Sequence, residues 1–348
     1  KNRLGRVPYL LDFYENGEVD PLVIIREYKN YQVFLESVEK ELYTGKLAEQ
    51  ELVTLEYLSK TILSGARAYE LEILKRFLNY EVIDAEQMKQ EFKVEYGYEV
   101  ELPSFENAIQ VLQGQFVSRE DELKKYCHID IVEYDKKQML RRMKGFADRL
   151  LHAEFYRQVN DIIEVGLRRY QDKYCRGQAE NCPFVLYEKY SRRDVSLLMN
   201  CGKDLSSTMY GMKRIDDDVF IFVTYHKEEV ADNAKIYLDG KPDYADAFED
   251  NMIFCWDSQI GRGIDSSYVE DVAKASRKHL LVKKSDVETS FYYMGQFDIV
   301  DAKANRKKDN NGKEHDITKF QMRMHQAVRD DLLRYLQSKI EKEEDKVG

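Results

Sequence analysis

Val-Phe-Ile-Phe-Val-Thr-Tyr, residues 219–225, is a run of β-branched and aromatic side chains too short for a helix and too apolar for a surface loop. It reads as a buried β-strand. Working outward, Lys319 to His325 alternates without a break: Phe320, Met322 and Met324 face one way, and Lys319, Gln321, Arg323 and His325 the other. Phe184–Tyr187, Met252–Trp256, Leu280–Lys283 and Phe291–Val300 add further extended segments. Helical patterns interrupt them at Ser191–Asn200, opened by the capping box Ser191-Arg-Arg-Asp194, at Ser266–Ser276 and at Asp330–Glu343. Helix, strands, helix, strands, helix is not the regular alternation of a doubly wound parallel sheet. From Pro183 on, the expectation is a strongly curved antiparallel sheet or small barrel with helices packed outside.

Upstream the periodicity is helical. Asp20-Pro21 supplies an N-cap and a first-turn proline, and Tyr31–Leu42 carries Val33, Phe34, Val38 and Leu42 on one face. Leu47–Leu63 and Arg67–Leu78 repeat that spacing on either side of Gly65. Asp84-Ala-Glu-Gln87 caps a helix that should stop near Gly97, and Ser104 opens another. From Asp135, Met139, Leu140, Met143, Phe146 and Leu150 form one stripe, continued after a kink by Phe155–Leu167. The chain is therefore expected to be α+β: an all-helical domain over residues 1–180, then a β-rich domain over 183–348, joined near Gly177–Pro183.

The 348 residues suffice for two cores, and 43% apolar with 34% charged residues suits a soluble protein. A first residue of Lys in place of Met suggests a piece of something longer. No apolar run approaches the roughly 18 residues of a membrane span. Five scattered cysteines without CxxC spacing suggest a reduced cytoplasmic setting, with no disulfide framework or zinc site. A net charge of −10 argues against coating nucleic acid by charge alone, yet it leaves room for local basic faces. Arginines cluster between Arg141 and Arg176, including Arg168 and Arg169, and a basic loop holds Lys303, Arg306, Lys307, Lys308 and Lys313.

Chemical motifs are absent. There is no GxxxxGK[ST], GxSxG or HExxH, and Gly261-Arg-Gly263 is too short to cradle a phosphate. His152, His226, His279, His315 and His325 lack ligand spacing, Asp216-Asp-Asp218 reads as a polar turn, and Asp130, Glu133 and Lys136 do not have nuclease spacing. The chain is expected to perform no catalysis and to hold no metal or cofactor of its own.

Asn251–Gly263, NMIFCWDSQIGRG, is different. An apolar strand delivers the single tryptophan, Trp256, followed at once by Asp257, Ser258 and Gln259. An aromatic face beside short hydrogen-bonding groups suits a flat polar ligand such as a nucleobase. It equally suits a core tryptophan at the end of a strand. If the sheet curls, Tyr225, His226, Tyr292 and Tyr293 at other strand ends should join Trp256, Asp257, Ser258 and Gln259 at one mouth. Asp257 would accept from a cytosine N4 amino group, and Ser258 or Gln259 would serve O2 and N3. Backbone phosphates would fall to Arg168, Arg169, Arg262, Lys303, Arg306, Lys307 and Lys308.

Several stretches carry a family resemblance. LYEKYSRRDVSLLMN (186–200), STMYG with the following Lys213 (207–213), VFIFVTYHK (219–227), FCWDSQ (254–259), HLLVKK (279–284) and FYYMGQ (291–296) resemble the domain downstream of the helicase core in proteins that join a phospholipase-D-type nuclease to a superfamily 2 helicase. The opening, RVPYLLDFYENGEVDPLVII (6–25) and KNYQVFL (29–35), is similar to the segment after the second helicase lobe of those proteins. Their members include methylation-dependent (type IV) restriction endonucleases of the SauUSI type. The resemblance implies a helical coupler followed by an SRA/PUA-like, base-flipping reader of 5-methylcytosine and 5-hydroxymethylcytosine, serving antiphage defence in the cytoplasm. It implies as partners duplex DNA with modified cytosine and the parent's helicase and nuclease, which would use ATP and Mg, with homodimerisation left open and no membrane. The alternative is a module that dimerises or docks such a helicase and has no base pocket.

Overall fold

The computed structural model describes residues 6–17, 19–38, 46–175, 182–226, 246–308 and 312–338. Contacts divide the chain into two compact units, Lys1–Val185 with Arg193–Ser206, and Leu186–Arg192 with Ser207–Gly348. The expected joint at Gly177–Pro183 lies largely outside the described residues, as do Arg176 and the end of the last helix beyond residue 338.

The first unit holds helices α1 (Leu10–Asn16), α2 (Pro21–Tyr28), α3 (Tyr31–Val38), α4 (Glu49–Ile62), α5 (Tyr69–Phe77), α6 (Ala85–Tyr96), α7 (Leu102–Leu112), α8 (Glu120–Tyr126), α9 (Lys144–Leu150) and α10 (Ala153–Arg169). Asp20, Asp84 and Gly97 act as the sequence suggests, but Gln87 donates to Glu91 and does not complete the capping box, and α7 begins at Leu102, ahead of the expected Ser104. The Asp20 side chain accepts from Leu22 N–H, Asp84 accepts from Glu86 and Gln87 N–H, and Gly97 ends α6 in the left-handed region. α10 packs against α1, α4, α5 and α9, burying Phe155, Val159, Ile162 and Ile163. Glycine permits its close approach: a Cβ on Gly166 would lie 2.7 Å from Leu71 Cδ2, and one on Gly65 2.2 Å from the Gly166 carbonyl oxygen.

The expectation of a wholly helical first half is corrected in one place. Val82–Asp84 (β1), Val132–Tyr134 (β2) and Met139–Arg142 (β3) form a three-stranded antiparallel sheet in the order β1-β3-β2. Met139 and Leu140 fit a helical stripe in the sequence, but Leu140 is buried as a strand residue and α9 begins only at Lys144. Asp135 turns the hairpin by accepting from Lys137 and Met139 N–H, so a side chain–backbone turn displaces the helix here.

α11 (Arg192–Leu198) follows, and from Arg193 on its residues group with the first unit. There buried Arg67 donates to the Leu197 carbonyl (2.8 Å), Asn200 Oδ1 (3.0 Å) and Asn107 Oδ1 (2.9 Å), beside its ion pair with Glu70.

The second unit is built on one sheet of β4 (Lys189–Tyr190), β5 (Met212–Ile215), β6 (Asp218–His226), β7 (Ala247–Phe248), β8 (Ile253–Asp257), β9 (Arg277–Ser285), β10 (Phe291–Lys308) and β11 (Glu314–Met324). The order is β5-β6-β9-β10-β11-β8-β7, with β4 on β10; every pairing is antiparallel except β6 with β9. β10 bends at register shifts between Tyr293 and Gly295 and between Ile299 and Asp301. Val219, Ile221 and Val223 of β6, Phe320, Met322 and Met324 of β11, and Phe254 and Trp256 of β8 share one buried face. Helices α12 (Ser267–Lys274) and α13 (Asp330–Gln337) pack on it through Val269, Val272, Leu332 and Leu336. The alternation read at 319–325 holds residue by residue. The protein is thus α+β, helices first and a β-sheet region second, and the sheet is curved but open, with no closed barrel among the described residues. No described helix is long and apolar enough to cross a membrane.

Candidate functional site

Gln259 Nε2 donates to the Tyr210 carbonyl oxygen at 2.8 Å, tying the end of β8 to the residues just before β5. These strands stand near opposite ends of the sheet order, so the sheet curls to bring them together. Gly211 fits the junction because its φ is +70° and a Cβ there would lie 2.9 Å from Gln259 Nε2.

A cavity of ≈ 340 Å³ lies at this junction. Residues 256–260 of β8 and its following turn form one wall, and Phe222, Val223, Thr224 and Gly211 the facing one. Arg192, Asp246 and Lys307 complete it. The volume falls at the low end of the roughly 300–1,000 Å³ usual for small-molecule sites. Two carboxylates (Asp246, Asp257) and two cations (Arg192, Lys307) share it with Phe222, Trp256 and Ile260. Asp246 also accepts the Asp257 backbone N–H at 2.9 Å, which holds the β8 terminus in place.

The four consecutive residues Trp256, Asp257, Ser258 and Gln259 therefore meet as expected, but their roles differ from the expectation. Trp256 is 3% exposed, with its ring stacked against Phe320 (5.3 Å between centroids) and Tyr268 (6.1 Å). It borders the cavity and has no open face on which a base could stack. The Ser258 hydroxyl donates to the Arg262 carbonyl (2.7 Å) and accepts the Thr318 N–H (2.8 Å), so it pins the turn. Gln259 is exposed, and its bond to Tyr210 leaves Oε1 as the group that a ligand can reach. An aromatic platform comes from elsewhere. Tyr210, 59% exposed, carries the Arg192 guanidinium 4.9 Å from its ring centroid, and the same guanidinium lies 5.7 Å from Phe222 and 5.1 Å from Phe291. Burial draws the Arg192 guanidinium below its ordinary pKa.

Tyr225, His226, Tyr292 and Tyr293 do not join this cavity. Tyr225 belongs to the core-facing row of Val219, Ile221 and Val223 and is buried. His226 Nε2 contacts the Leu336 carbonyl oxygen at 2.8 Å. Tyr292 borders a separate cavity of ≈ 210 Å³ with Tyr187, Leu332 and Tyr335. Tyr293 lies 2.9 Å from His279 Nδ1 through its hydroxyl, and His279 Nε2 lies 2.7 Å from Asp218 Oδ1, all of them buried. Burial holds the His279 pKa below its usual value despite the adjacent Asp218. Burial would raise Asp218, but hydrogen bonds from His279 and Arg277 outweigh it and hold the carboxyl below the usual range. The consistent assignment is neutral His279, donating Nε2–H to Asp218 and accepting at Nδ1 from Tyr293. β10 explains the dispersal. Tyr292 pairs with Val282 near its start, whereas Asp257 is aligned through Lys319 with Lys303, eleven residues further on.

The basic candidates divide as well. Arg169, expected to touch phosphate, is 3% exposed and donates to the Ser64 carbonyl (3.0 Å) and Asp20 Oδ1 (2.9 Å); it is an internal tie of the first unit. Arg168 is exposed and paired with Asp172 at 3.3 Å. In the second unit Arg262 is exposed with its guanidinium 5.4 Å from the Tyr268 ring, and Lys303, Arg306, Lys307 and Lys308 are exposed along the outer part of β10. The sequence reading missed Arg192, Tyr210, Gly211, Phe222, Thr224, Asp246 and Ile260. Gly211 at the start of a strand was the available signal, since a glycine in a strand pattern marks a close backbone approach.

The family described as "Domain of unknown function (DUF8090)" matches residues 1–172, and "Domain of unknown function (DUF3427)" matches residues 184–336. No curated protein matches the chain. Among solved structures, KRYPTONITE in complex with mCHG DNA and SAH is 9% identical, with 52% of this chain and 41% of that one covered and a TM-score of 0.28. Arabidopsis thaliana SUVH6 in complex with SAM is 12% identical over 68% and 40%, with a TM-score of 0.30. The sulfur binding and SRA domains of ScoMcrA complexed with phosphorothioated DNA are 8% identical over 81% and 90%, with a TM-score of 0.25. The chain spans about two fifths of the length of the KRYPTONITE and SUVH6 chains.

Proposed function

We propose that the second unit reads a modified cytosine flipped out of duplex DNA, and that the first unit couples this reader to the helicase and nuclease of a type IV restriction enzyme. The observation that carries the reading is the cavity where the curled sheet brings β8 to β5 and β6. It pairs an acceptor, Asp257, with donors from Arg192, Thr224 and Lys307, and one of these, Arg192, carries the exposed Tyr210 ring beside its guanidinium. A cytosine edge presents one amino donor beside acceptors at N3 and O2, which is the complement of that set. Exposed Tyr210 supplies the stacking surface that Trp256 does not. Phe222 and Ile260 give a substituent at C5 an apolar neighbour. The chain acts by binding; ATP and Mg serve the motor and nuclease of the parent enzyme.

The test is binding of this chain to matched duplexes carrying cytosine, 5-methylcytosine or 5-hydroxymethylcytosine, with 2-aminopurine beside the target to report extrusion. A preference for a modified duplex with a rise in fluorescence is expected. Equal affinity for all three, with no fluorescence change, refutes the reading.

Dispersal of Tyr225, His226, Tyr292 and Tyr293 favours the second reading, a dimerisation or docking module. Light scattering discriminates: a concentration-dependent dimer without modification-dependent DNA binding supports that module.

A further inference from the structure

The outer part of β10 continues past its other partners. β9 pairs it only from Tyr292 to Gln296, and β8 pairs β11 only from Lys319 to Arg323. Beyond the pair Lys303–Lys319 and out to Lys308–Glu314, β10 and β11 run on as a ribbon, edged only by the turn after β8, whose Ser258 and Gly261 N–H groups donate to the Thr318 and Asp316 carbonyls. Direct cross-strand partners share a face, and successive residues alternate between faces.

The two faces of this ribbon are electrically unlike. On one, Arg306 lies opposite Asp316 and Lys308 opposite Glu314, and Arg306 is 3.4 Å from Asp316 and 3.8 Å from Glu314. Its two cations face two carboxylates within the ribbon. On the other, Lys303 lies opposite Lys319, Asn305 opposite Ile317, and Lys307 opposite His315, with no carboxylate among these three pairs. Two acids border that face among the described residues: Asp301, held by Lys303 at 2.5 Å, and Asp257, the cross-strand neighbour of Lys319 at the cavity. Two lysines directly opposite each other disfavour the pairing of their strands, and a bound polyanion would relieve the repulsion. The same face runs into the cavity, because Lys307 lines it and Lys319 is the cross-strand neighbour of Asp257. From Lys303 to Lys307 is about 13 Å at ~3.3 Å per residue, the rise of roughly four base pairs at 3.4 Å each.

We propose that the Lys303–Lys307–Lys319 face binds the phosphodiester backbone of the duplex whose base enters the cavity, and that the Arg306–Lys308 face does not. The identity of the ligand rests on the modified-base reading above. The choice of face rests on the ribbon alone.

The experiment compares Lys303→Glu with Lys319→Glu against Arg306→Glu with Lys308→Glu in the full chain. Both double variants change net charge equally. Anisotropy titrations on modified and unmodified duplexes across a salt series give the readout. The lysine variant should bind both duplexes about tenfold or more weakly at low salt, with the slope of log affinity against log salt flatter by about 2. The Arg306/Lys308 variant should stay within about threefold of the parent. Equal losses in the two variants, or the greater loss in the second, overturn the proposal. Lys303→Ala with Lys319→Ala, which removes a repulsive pair together with the exposed Lys303–Asp301 ion pair and so should change the melting temperature little, must keep the same ordering at smaller magnitude. Lysine-dependent binding without preference for modification would sink the base reading and leave this inference standing; failure of the parent chain to bind duplex DNA would sink both.

Discussion

Trp256→Ala separates a core tryptophan from a ligand platform. The indole is 3% exposed and packed against Phe320 and Tyr268, within the cluster that holds α12 on the sheet. Truncating a buried tryptophan to alanine typically costs about 3–5 kcal/mol, part transfer and part cavity. For a unit of this size that lowers the melting temperature by roughly 6–20 °C. Tyr210→Ala should do the opposite. Its ring is 59% exposed, so little packing is lost and stability should change by at most about 0.5 kcal/mol. If it stacks on a flipped base, about 1–3 kcal/mol of affinity disappears, which is roughly 5- to 150-fold in Kd. Thermal unfolding and anisotropy on the same preparations report both quantities. A Trp256→Ala protein that melts with the parent would refute the core assignment. A Tyr210→Ala protein that binds modified duplex as the parent does would refute the platform.

Other consequences can be checked in parallel. Asp257→Asn should weaken binding of modified duplex by about 1.5–3 kcal/mol through loss of a charge-assisted bond, with the melting temperature little changed; unaltered titrations would remove Asp257 from the site. Gly211→Ala should strain a backbone at φ +70° by about 1–3 kcal/mol and displace Gln259, so stability and binding should fall together. Asp161 accepts the Leu10 and Leu11 N–H groups at 2.7 and 3.1 Å from within α10, and Asp161→Ala should release α1 at a cost of about 2–4 kcal/mol. Hydrogen exchange confined to residues 10–16 would report that release, and unchanged protection there would count against it. Neutral His279 makes stability pH-dependent: because its folded pKa is depressed, the unfolded chain binds the extra proton, and stability falls as pH drops below about 6.5. Asp218, also depressed, holds its contribution above the ordinary carboxylate pKa and loses it only at more acid pH. Urea unfolding at pH 7.5 and 5.5 should show a larger loss in the parent than in His279→Gln; equal losses would exclude His279 as the cause.

Much of the fold was legible because the rules that set it are local. Alternation at 319–325 needs only the period of a strand, and Asp84, Gly97 and Asp20 act within one helical turn of themselves. The failure at Met139–Arg142 has the same origin. A stripe of Met139, Leu140, Met143 and Phe146 satisfies a helical period, but β3 is a strand because Val82–Asp84 and Val132–Tyr134 flank it, and neither segment is near it in period. The apolar content of β10 ends at Val300, which is where the sequence places its end. The strand continues to Lys308 on cross-strand pairing with β11.

The site was legible only where it is contiguous. Trp256 to Gln259 reach one cavity because a strand end delivers its neighbours together, and that much follows from four adjacent letters. Which other strand ends join them depends on how far the sheet curls and on which face each residue takes. Tyr225 shows the second condition: it follows Thr224 but belongs to the core row of Val219, Ile221 and Val223, and of that row Val223 alone borders the cavity. Arg192 and Asp246 show the first. One opens a short helix and the other sits in an acidic run that reads as surface, and only the curl that sets Gln259 against Tyr210 makes them neighbours. The tryptophan misled for a related reason. A large aromatic at a strand end can serve a ligand or a core, and Phe320 directly across the ladder, with Tyr268 from α12, decides for the core. That leaves the smaller and more exposed Tyr210 as the aromatic with surface to offer a ligand, held beside the cavity by a glycine that no side chain could replace without moving Gln259.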